Sequence, residues 1–100
     1  MSRRTYKIDP ITVNDEVYTE VVIDPHYEIK HSDEVNDEVI VSLVLLLNGI
    51  EQLPEDTKDE FSYFATIIEF QEKTYRLVWL LEDHKVYIGV VNAFRDRRGE

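Results

Sequence analysis

The stretch that decides the fold is residues 61–94, which read FSYFATIIEFQEKTYRLVWLLEDHKVYIGVVNAF. It contains three runs rich in β-branched and aromatic residues: Phe61 to Phe70, Thr74 to Leu81 and Val86 to Phe94. Runs of this composition are typical of strands, and the connections of three and four residues between them join antiparallel neighbours. The stretch therefore predicts a three-stranded C-terminal meander.

The middle run of the meander carries apolar side chains on both of its faces. At the two-residue period of a strand, one face holds Tyr75, Leu77, Trp79 and Leu81, and the other holds Thr74, Arg76, Val78 and Leu80. A strand with two apolar faces is predicted to be central in its sheet, with a helix against one side. Gly89 in the next run indicates that another element approaches closely there.

A long apolar segment precedes the meander, and its ends carry helix signals. Ser32 or Asn36 can cap the N-terminus, each followed by two acidic residues, and Asn48-Gly49 is a C-terminal stop. Residues 39–47 between these ends are apolar nearly all round. We therefore expect the rest of the fold or a partner to cover this helix on several sides, and a homodimer that buries its outer side is one such arrangement.

The residues ahead of this helix predict shorter elements. Glu16 to Ile23 is rich in β-branched residues and is predicted to be a strand, which Asp24-Pro25 ends. Residues 26–31 alternate as a short extended segment with one apolar side, and residues 1–15 are either partly disordered or an edge strand. The predicted fold class is α+β in a single domain, residues 1–100: one main buried helix packs on a mostly antiparallel sheet that ends in the meander.

The composition bounds the function. The chain has 100 residues, no cysteine and a formal net charge of −10. The acidity is concentrated in residues 9–60, which hold fifteen acidic and two basic residues, whereas residues 61–100 are neutral and residues 1–8 are basic. This distribution excludes a uniformly basic nucleic-acid binder and leaves room for a local phosphate site. Because thiol chemistry is absent and no apolar run is long enough to span a membrane, we expect a cytoplasmic protein without membrane contact.

The chain lacks the motifs typical of cofactor and metal proteins. It has no phosphate-binding glycine loop, no pair of histidine ligands on a helix and no nucleophile elbow. His26 and His31 are five residues apart, a spacing that places them on opposite faces of a strand and disfavours binding of one metal. We therefore expect neither a cofactor nor a metal site.

His26 and Lys30 are the candidate residues for acid–base chemistry. They fall on the same face of either a strand or a helix, with Glu28 between them if the segment is extended. Such a set could supply a general acid or base together with a cation that stabilises charge developing on a phosphate. The alternative is that these residues form the solvated outer face of a short strand.

Arg76 and the C-terminal arginines are the candidate residues for phosphate binding. A charge inside an apolar strand is costly unless it is paired, so Arg76 either pairs with Glu69 across the hairpin or faces a site. Arg95, Arg97 and Arg98 follow directly from the last strand. They could grip phosphates or an acidic partner, or they could form a frayed basic tail.

Two short motifs lie in the meander. The middle strand carries Tyr75-Arg76-Leu77-Val78-Trp79, and the last strand carries Val86-Tyr87-Ile88-Gly89-Val90-Val91 before its exit at Arg95. With the preceding helix, they make residues 36–98 similar to the RelE/ParE-like toxins of bacterial toxin–antitoxin pairs. The resemblance implies binding and cleavage of messenger RNA on the ribosome. It implies Arg76 as the phosphate-binding residue of the middle strand, and Arg95 or Arg97 as the C-terminal basic residue.

Two hypotheses of different classes follow. The first is a small ribonuclease in which Arg76 and the terminal arginines hold phosphate and His26 or His31 handles the proton. The second is a non-enzymatic binding module, of the inhibitor, immunity or antitoxin kind, whose acidic residues 9–60 cover a basic protein partner. The partner is thus either RNA at a local site or a basic protein, and whether the protein is an enzyme stays open.

Overall fold

The computed structural model describes residues 2–98 and is dominated by one six-stranded sheet. The strands are β1 (Arg4–Val13), β2 (Glu16–Ile23), β3 (Asp56–Lys58), β4 (Phe61–Phe70), β5 (Lys73–Glu82) and β6 (Tyr87–Arg95). The connection from β2 to β3 holds a 3-10 turn (Pro25–Tyr27), α1 (Glu28–His31) and α2 (Asp37–Leu45). Among residues 2–98, 53% are in strands and 16% in helices, and the sheet curls into a half-barrel. Within the described residues, neither helix has the length and apolar character needed to cross a membrane.

The strand order in the sheet is β1-β2-β6-β5-β4-β3. β2 and β6 run parallel, with Glu20 opposite Tyr87 and Ile23 opposite Val90, and every other neighbouring pair is antiparallel. This parallel pair joins the N-terminal hairpin, β1 and β2, to the C-terminal meander, β4 to β6. The predicted strand at residues 16–23 and the antiparallel pairing of the meander are confirmed.

The predicted fold class, one main buried helix on a sheet, is wrong. The structure is mostly sheet, and its two helices span four and nine residues. Of the two predicted caps, Ser32 and Asn36, the second begins α2: the Asn36 side chain accepts a hydrogen bond from the backbone N–H of Val39 at 2.9 Å. α2 ends early, however, and Leu46 lies 53% exposed. The chain itself therefore covers α2 on one side only, through Ile40, Leu43 and Val44, while Leu45 and Leu46 stay exposed, and coverage by a partner remains a prediction.

The extended segment predicted at residues 26–31 is instead helical. Asp24 accepts a hydrogen bond from the backbone N–H of His26 at 2.9 Å, and Pro25 occupies the first helical position. A capping carboxylate followed by proline favours the start of a helix over a continued strand. As predicted, the strand β2 ends before Asp24-Pro25. The reason is that Asp24 caps the 3-10 turn, which leads directly into α1.

The core lies on one face of the sheet. The side chains that fill it are Ile11, Val13, Tyr18, Val21, Ile23, Phe64, Ile68, Tyr75, Leu77, Trp79, Leu81, Ile88, Val90 and Ala93. α2 packs into the same core through Ile40, Leu43 and Val44. Trp79 is fully buried, and its ring stacks on Phe64 with 4.1 Å between the ring centroids. The opposite face of β2, β6, β5 and β4, called here the open face, has no such cover, and its apolar side chains are only partly buried.

Candidate functional site

The open face holds a cavity of about 420 Å³, called here the open-face cavity. The residues that line it are Arg3, Val22, Asp24, Phe61, Tyr63, Leu80, Glu82, Tyr87, Gly89, Val90 and Val91. They come from the four neighbouring strands β2, β6, β5 and β4 and from the chain just outside β1 and β2. The lining is therefore assembled across the parallel junction of the hairpin with the meander. Its chemistry is aliphatic and aromatic with a few charged groups.

Gly89 shapes the floor of the open-face cavity. It lies opposite Leu80 in the β5–β6 pair. A Cβ at position 89 would lie 2.7 Å from Leu80 Cδ1 and 3.3 Å from Tyr87 Cε2. Because glycine has no side chain, the side chains of Leu80 and Tyr87 lie close to the backbone here. The close approach that the sequence indicates at this glycine is thus made by two cavity-lining side chains.

Tyr87 carries the polar wall of the open-face cavity. Its hydroxyl donates a hydrogen bond to the Glu82 carboxylate. Burial and then this hydrogen bond raise the pKa of Tyr87 to about 12, the Glu60 carboxylate acts in the same direction, and Arg3 opposes it. These charges therefore all lie near the Tyr87 hydroxyl. Arg3 also pairs with Asp24 at 3.9 Å, so three carboxylates face one guanidinium around this rim.

A group of exposed carboxylates adjoins the cavity and is called here the acidic edge. It comprises Glu55, Asp56, Asp59, Glu60 and Asp83. β3 is one of the two edge strands, and it pairs with β4, which carries the aromatic wall of the cavity: Asp56 lies opposite Tyr63, and Lys58 lies opposite Phe61. The backbone N–H of Asp83 donates to the carbonyl of Glu60 at 2.9 Å, which brings the β5–β6 turn to this edge. The five carboxylates here outnumber the two lysines of the same segments, Lys58 in β3 and Lys85 in the β5–β6 turn.

The predicted phosphate-binding arginines meet at a second depression, of about 310 Å³, called here the arginine depression. Its lining consists of Arg76, Phe94, Arg95, Asp96, Arg97 and Arg98. Asp96 is buried, and its carboxylate accepts from Arg98 Nη2 at 2.7 Å and lies 3.7 Å from Arg76 Nη2. The Arg98 side-chain hydrogen bonds are the main cause that lowers the pKa of Asp96 to about 2. Arg76 thus pairs with Asp96, and the predicted pairing with Glu69 is wrong.

Glu34 ties the C-terminal arginines to the end of α1. Its carboxylate lies 3.6 Å from Arg97 Nη1 and accepts from the backbone N–H of Arg95 at 3.2 Å. His31 Nδ1 lies 3.3 Å from the same carboxylate, and the His31 ring stacks on Phe94 with 5.0 Å between centroids. Residues 95–98 are therefore fixed by hydrogen bonds and ion pairs. They do not form the frayed basic tail that is one of the two predicted alternatives.

His26 and Lys30 lie apart from both depressions. His26 belongs to the 3-10 turn and Lys30 to α1, and both are exposed. Neither is among the described residues that line the open-face cavity or the arginine depression. The structure thus brings Arg76, Arg95, Arg97 and Arg98 together and leaves the candidate acid–base residues outside. His31, through its stacking on Phe94, is the histidine that reaches the arginine depression.

The sequence predicts no site at the open-face cavity. Two signals pointed toward it: the apolar side chains on both faces of β5, and Gly89 in β6. Both signals concern the face of a single strand. They indicate a cavity only when the neighbouring strands in the sheet are known. Among residues 2–98, no group of three or more histidine, aspartate or glutamate side chains could hold a metal ion.

The two depressions differ in the chemistry that they can perform. The open-face cavity can bury the apolar groups of a ligand, and the carboxylates at its rim can hold a cation beside them. The arginine depression can bind an anion, provided that the anion competes with Asp96 and Glu34 for the arginines. Comparisons with protein-family models, with curated proteins and with solved structures find no match to this chain.

Proposed function

We propose that this protein is a non-enzymatic binding module whose acidic surface covers a basic protein partner. One observation carries the proposal: an apolar cavity with aromatic walls lies directly beside the acidic edge. Protein interfaces combine a desolvated core rich in aromatic side chains with a polar, solvent-accessible rim. Here the open-face cavity would supply the core, and the acidic edge would supply the rim.

The exposed charge favours a basic partner. Eleven of the fifteen acidic residues in segment 9–60 are exposed, and among residues 2–98 Glu28 alone of these eleven forms an ion pair. Uncompensated carboxylates of one sign accelerate association with a cationic surface and repel nucleic acid. The Debye length is about 10 Å at 0.1 M salt, and exposed charges farther apart than this are largely screened. Binding driven by these charges should therefore weaken as the salt concentration rises. An inhibitor, immunity protein or antitoxin would use its surface in this way, and a cytoplasmic location fits the absence of cysteine.

The acidic edge supplies the test. A variant with Glu55→Gln, Asp56→Asn and Glu60→Gln removes three charges from exposed positions while keeping side-chain size. The wild-type protein and the variant are each immobilised and exposed to lysate at low and at high salt. Every protein that is retained is then purified, and its affinity for the wild type and for the variant is measured by calorimetry. We expect a basic partner whose affinity falls at least about tenfold in the variant and falls again with salt. Equal binding of every retained protein to both forms would refute the proposal.

A ribonuclease of the RelE/ParE-like kind is the second candidate, and the arginine depression favours it. Arg76 meets the three arginines of residues 95–98 there, and a phosphate could accept several charge-assisted hydrogen bonds from them. His31 stacks on Phe94 at the lining and would be the group that handles the proton. His26 and Lys30 support this candidate less, because they lie outside the depression.

Cleavage of RNA separates the two candidates. Purified protein is incubated in excess with single-stranded RNA, beside the variants Arg76→Gln, His31→Gln and His26→Gln and the control Arg3→Gln. A ribonuclease predicts cleavage that falls at least about tenfold in the first two variants and is unchanged in the control. Dependence on His26 would restore the site that the sequence predicts. Intact RNA under all conditions would refute the ribonuclease and leave the binding module.

A further inference from the structure

We propose that the open-face cavity is the anchor site for the basic partner, and that it takes a large apolar side chain flanked by lysine or arginine. This inference rests on the proposed function and adds the chemistry of the segment that is bound. It concerns the cavity itself, whereas the binding module could equally act through the acidic edge alone. The cavity and the acidic edge therefore need separate variants.

The shape of the cavity favours a side chain as the occupant. Its volume of about 420 Å³ lies toward the small end of the range of roughly 300–1,000 Å³ for ligand pockets. The floor is formed by Gly89 and Leu80, and the wall is formed by Tyr63 and Phe61, whose rings lie 6.4 Å apart. A tryptophan or leucine from a partner would bury its apolar surface against these groups. Large anchors in such pockets supply most of the affinity of an interface.

The charges at the rim favour a cation beside that apolar anchor. Arg3 pairs with Asp24 and also acts on the Tyr87 hydroxyl, so the carboxylates of Glu82 and Glu60 add to that of Asp24 and exceed this one guanidinium. The Glu82 carboxylate accepts one hydrogen bond from Tyr87 and has further acceptor sites for an ammonium or guanidinium group. A cation held there would also lie near the Tyr87 ring, and aromatic faces attract cations. An anionic segment would meet repulsion at the same place.

Three labelled peptides of one Gly-Ser scaffold test the inference, with Lys-Trp-Lys, Lys-Ser-Lys or Glu-Trp-Glu at the centre. Each is titrated into ¹⁵N-labelled protein at low salt, and amide shifts report where it binds. We expect the Lys-Trp-Lys peptide to perturb the amides of Gly89, Leu80 and Val91. The other two peptides should bind at least about tenfold more weakly, because each loses either the apolar anchor or the charge.

Two variants and a control locate the site. Gly89→Ala places a methyl group 2.7 Å from Leu80 Cδ1, which requires the Leu80 side chain to shift and changes the floor of the cavity, and Glu82→Gln removes one carboxylate charge at the rim. Each should weaken the Lys-Trp-Lys peptide at least about fivefold, with the amide spectrum reporting that the fold is kept. Glu69→Gln is the control, because Glu69 lies on the same face at the far end of β4, opposite Thr74. It should leave the affinity unchanged.

The outcomes separate the inference from the proposed function. Peptide shifts confined to the acidic edge would overturn the cavity as the anchor and leave the binding module standing. Equal affinity for all three peptides, or none for any, would also overturn the cavity as an anchor. If tryptamine alone binds as tightly as the Lys-Trp-Lys peptide, the site is one for small amines, and the inference of a protein anchor fails. The module itself falls only in the experiment with the acidic-edge variant.

Discussion

The indole Nε1 of Trp79 donates a hydrogen bond to the hydroxyl of Thr66 at 2.9 Å across the β4–β5 pair. The Thr66 hydroxyl in turn donates to Gln52 Oε1 at 2.8 Å, and Gln52 Nε2 donates to the carbonyl of Ala65 at 3.0 Å. The only tryptophan, fully buried, is thus satisfied by a short polar chain that also fastens the segment before β3 to the sheet. This holds the strand that carries the acidic edge in place.

Thr66→Val should destabilise the fold. Valine matches the shape of threonine, but it removes the acceptor for the buried indole N–H and the donor to Gln52. An unsatisfied buried polar group costs about 1–3 kcal/mol, so we expect the free energy of unfolding to fall by about 2 kcal/mol. Urea denaturation followed by tryptophan fluorescence measures it. Thr5→Val, at an exposed position of β1, is the control and should change the free energy of unfolding by less than about 0.5 kcal/mol. An equal loss in both variants would contradict a stabilising role for the hydrogen bonds that join Trp79, Thr66 and Gln52.

Asp37→Asn should destabilise the fold at neutral pH. Asp37 begins α2 and accepts hydrogen bonds from Arg4, Tyr6 and Tyr27, and chiefly the Arg4 bond lowers the pKa of Asp37 to about 2. Because this pKa lies below the unfolded value of about 3.9, the ionised form stabilises the native state. The stabilisation of about 2 kcal/mol is present in full above the unfolded pKa and is lost as pH falls through the folded pKa.

The pH dependence tests this electrostatic origin. The difference in unfolding free energy between wild type and Asp37→Asn should be constant between pH 5 and 7, and it should shrink steadily from about pH 4 to pH 2. Glu38→Gln is the matched control, because Glu38 lies in the same first turn but is exposed. A difference that stays the same down to pH 2 would show that the carboxylate charge is not the cause.

Two leucines at the C-terminal end of α2, one buried and one exposed, should respond differently to truncation. Leu43 is fully buried, and Leu43→Ala should lower the free energy of unfolding by about 3 kcal/mol. Leu46 lies three residues later and is 53% exposed, so Leu46→Ala should cost less than about 0.5 kcal/mol. Thermal unfolding measures both. A large loss for Leu46→Ala that depends on protein concentration would instead indicate a homodimer that buries this side.

Glu82→Gln should lower the pKa of Tyr87. That pKa is raised to about 12 by burial first and by the Glu82 hydrogen bond second. Removal of the charge should bring the pKa down while leaving it above the ordinary value of about 10, because burial persists. The ¹³Cζ resonance of Tyr87 between pH 9 and 13 reports the titration, with Tyr87→Phe to assign it. Glu60→Gln should produce a smaller decrease, since Glu60 is the weakest contributor, and a larger effect of Glu60 would contradict this geometry.

Much of the local structure could be predicted from the sequence. The strand at residues 16–23, the three strands of the meander and the Asn36 cap of α2 are all observed. These features depend on short connections, side-chain alternation and capping, which act between residues close in the chain. The helical structure at residues 26–31 differs from the predicted extended segment, because the cap formed by Asp24 and Pro25 outweighs the weak apolar alternation that follows.

The candidate sites could be predicted only in part. The arginines were identified by residue type, but their meeting with Asp96 and Glu34 depends on where β5, β6 and α1 lie in space. The open-face cavity was missed because its lining comes from four strands, and no local pattern tells which two strands become neighbours. Gly89 was noticed for its missing side chain, yet the groups that use the space, Leu80 and Tyr87, emerge from the register.

The sequence by itself determined the meander, the start of α2 and the concentration of acidic residues between positions 9 and 60, because each is a property of neighbouring residues. Only the tertiary structure decided the parallel pairing of β2 with β6, which makes one half-barrel from two separate antiparallel units. That pairing joins segments more than sixty residues apart, and its free energy comes from apolar surface that is buried collectively. The open-face cavity spans this junction, so the surface that carries the proposed function exists only in the folded chain.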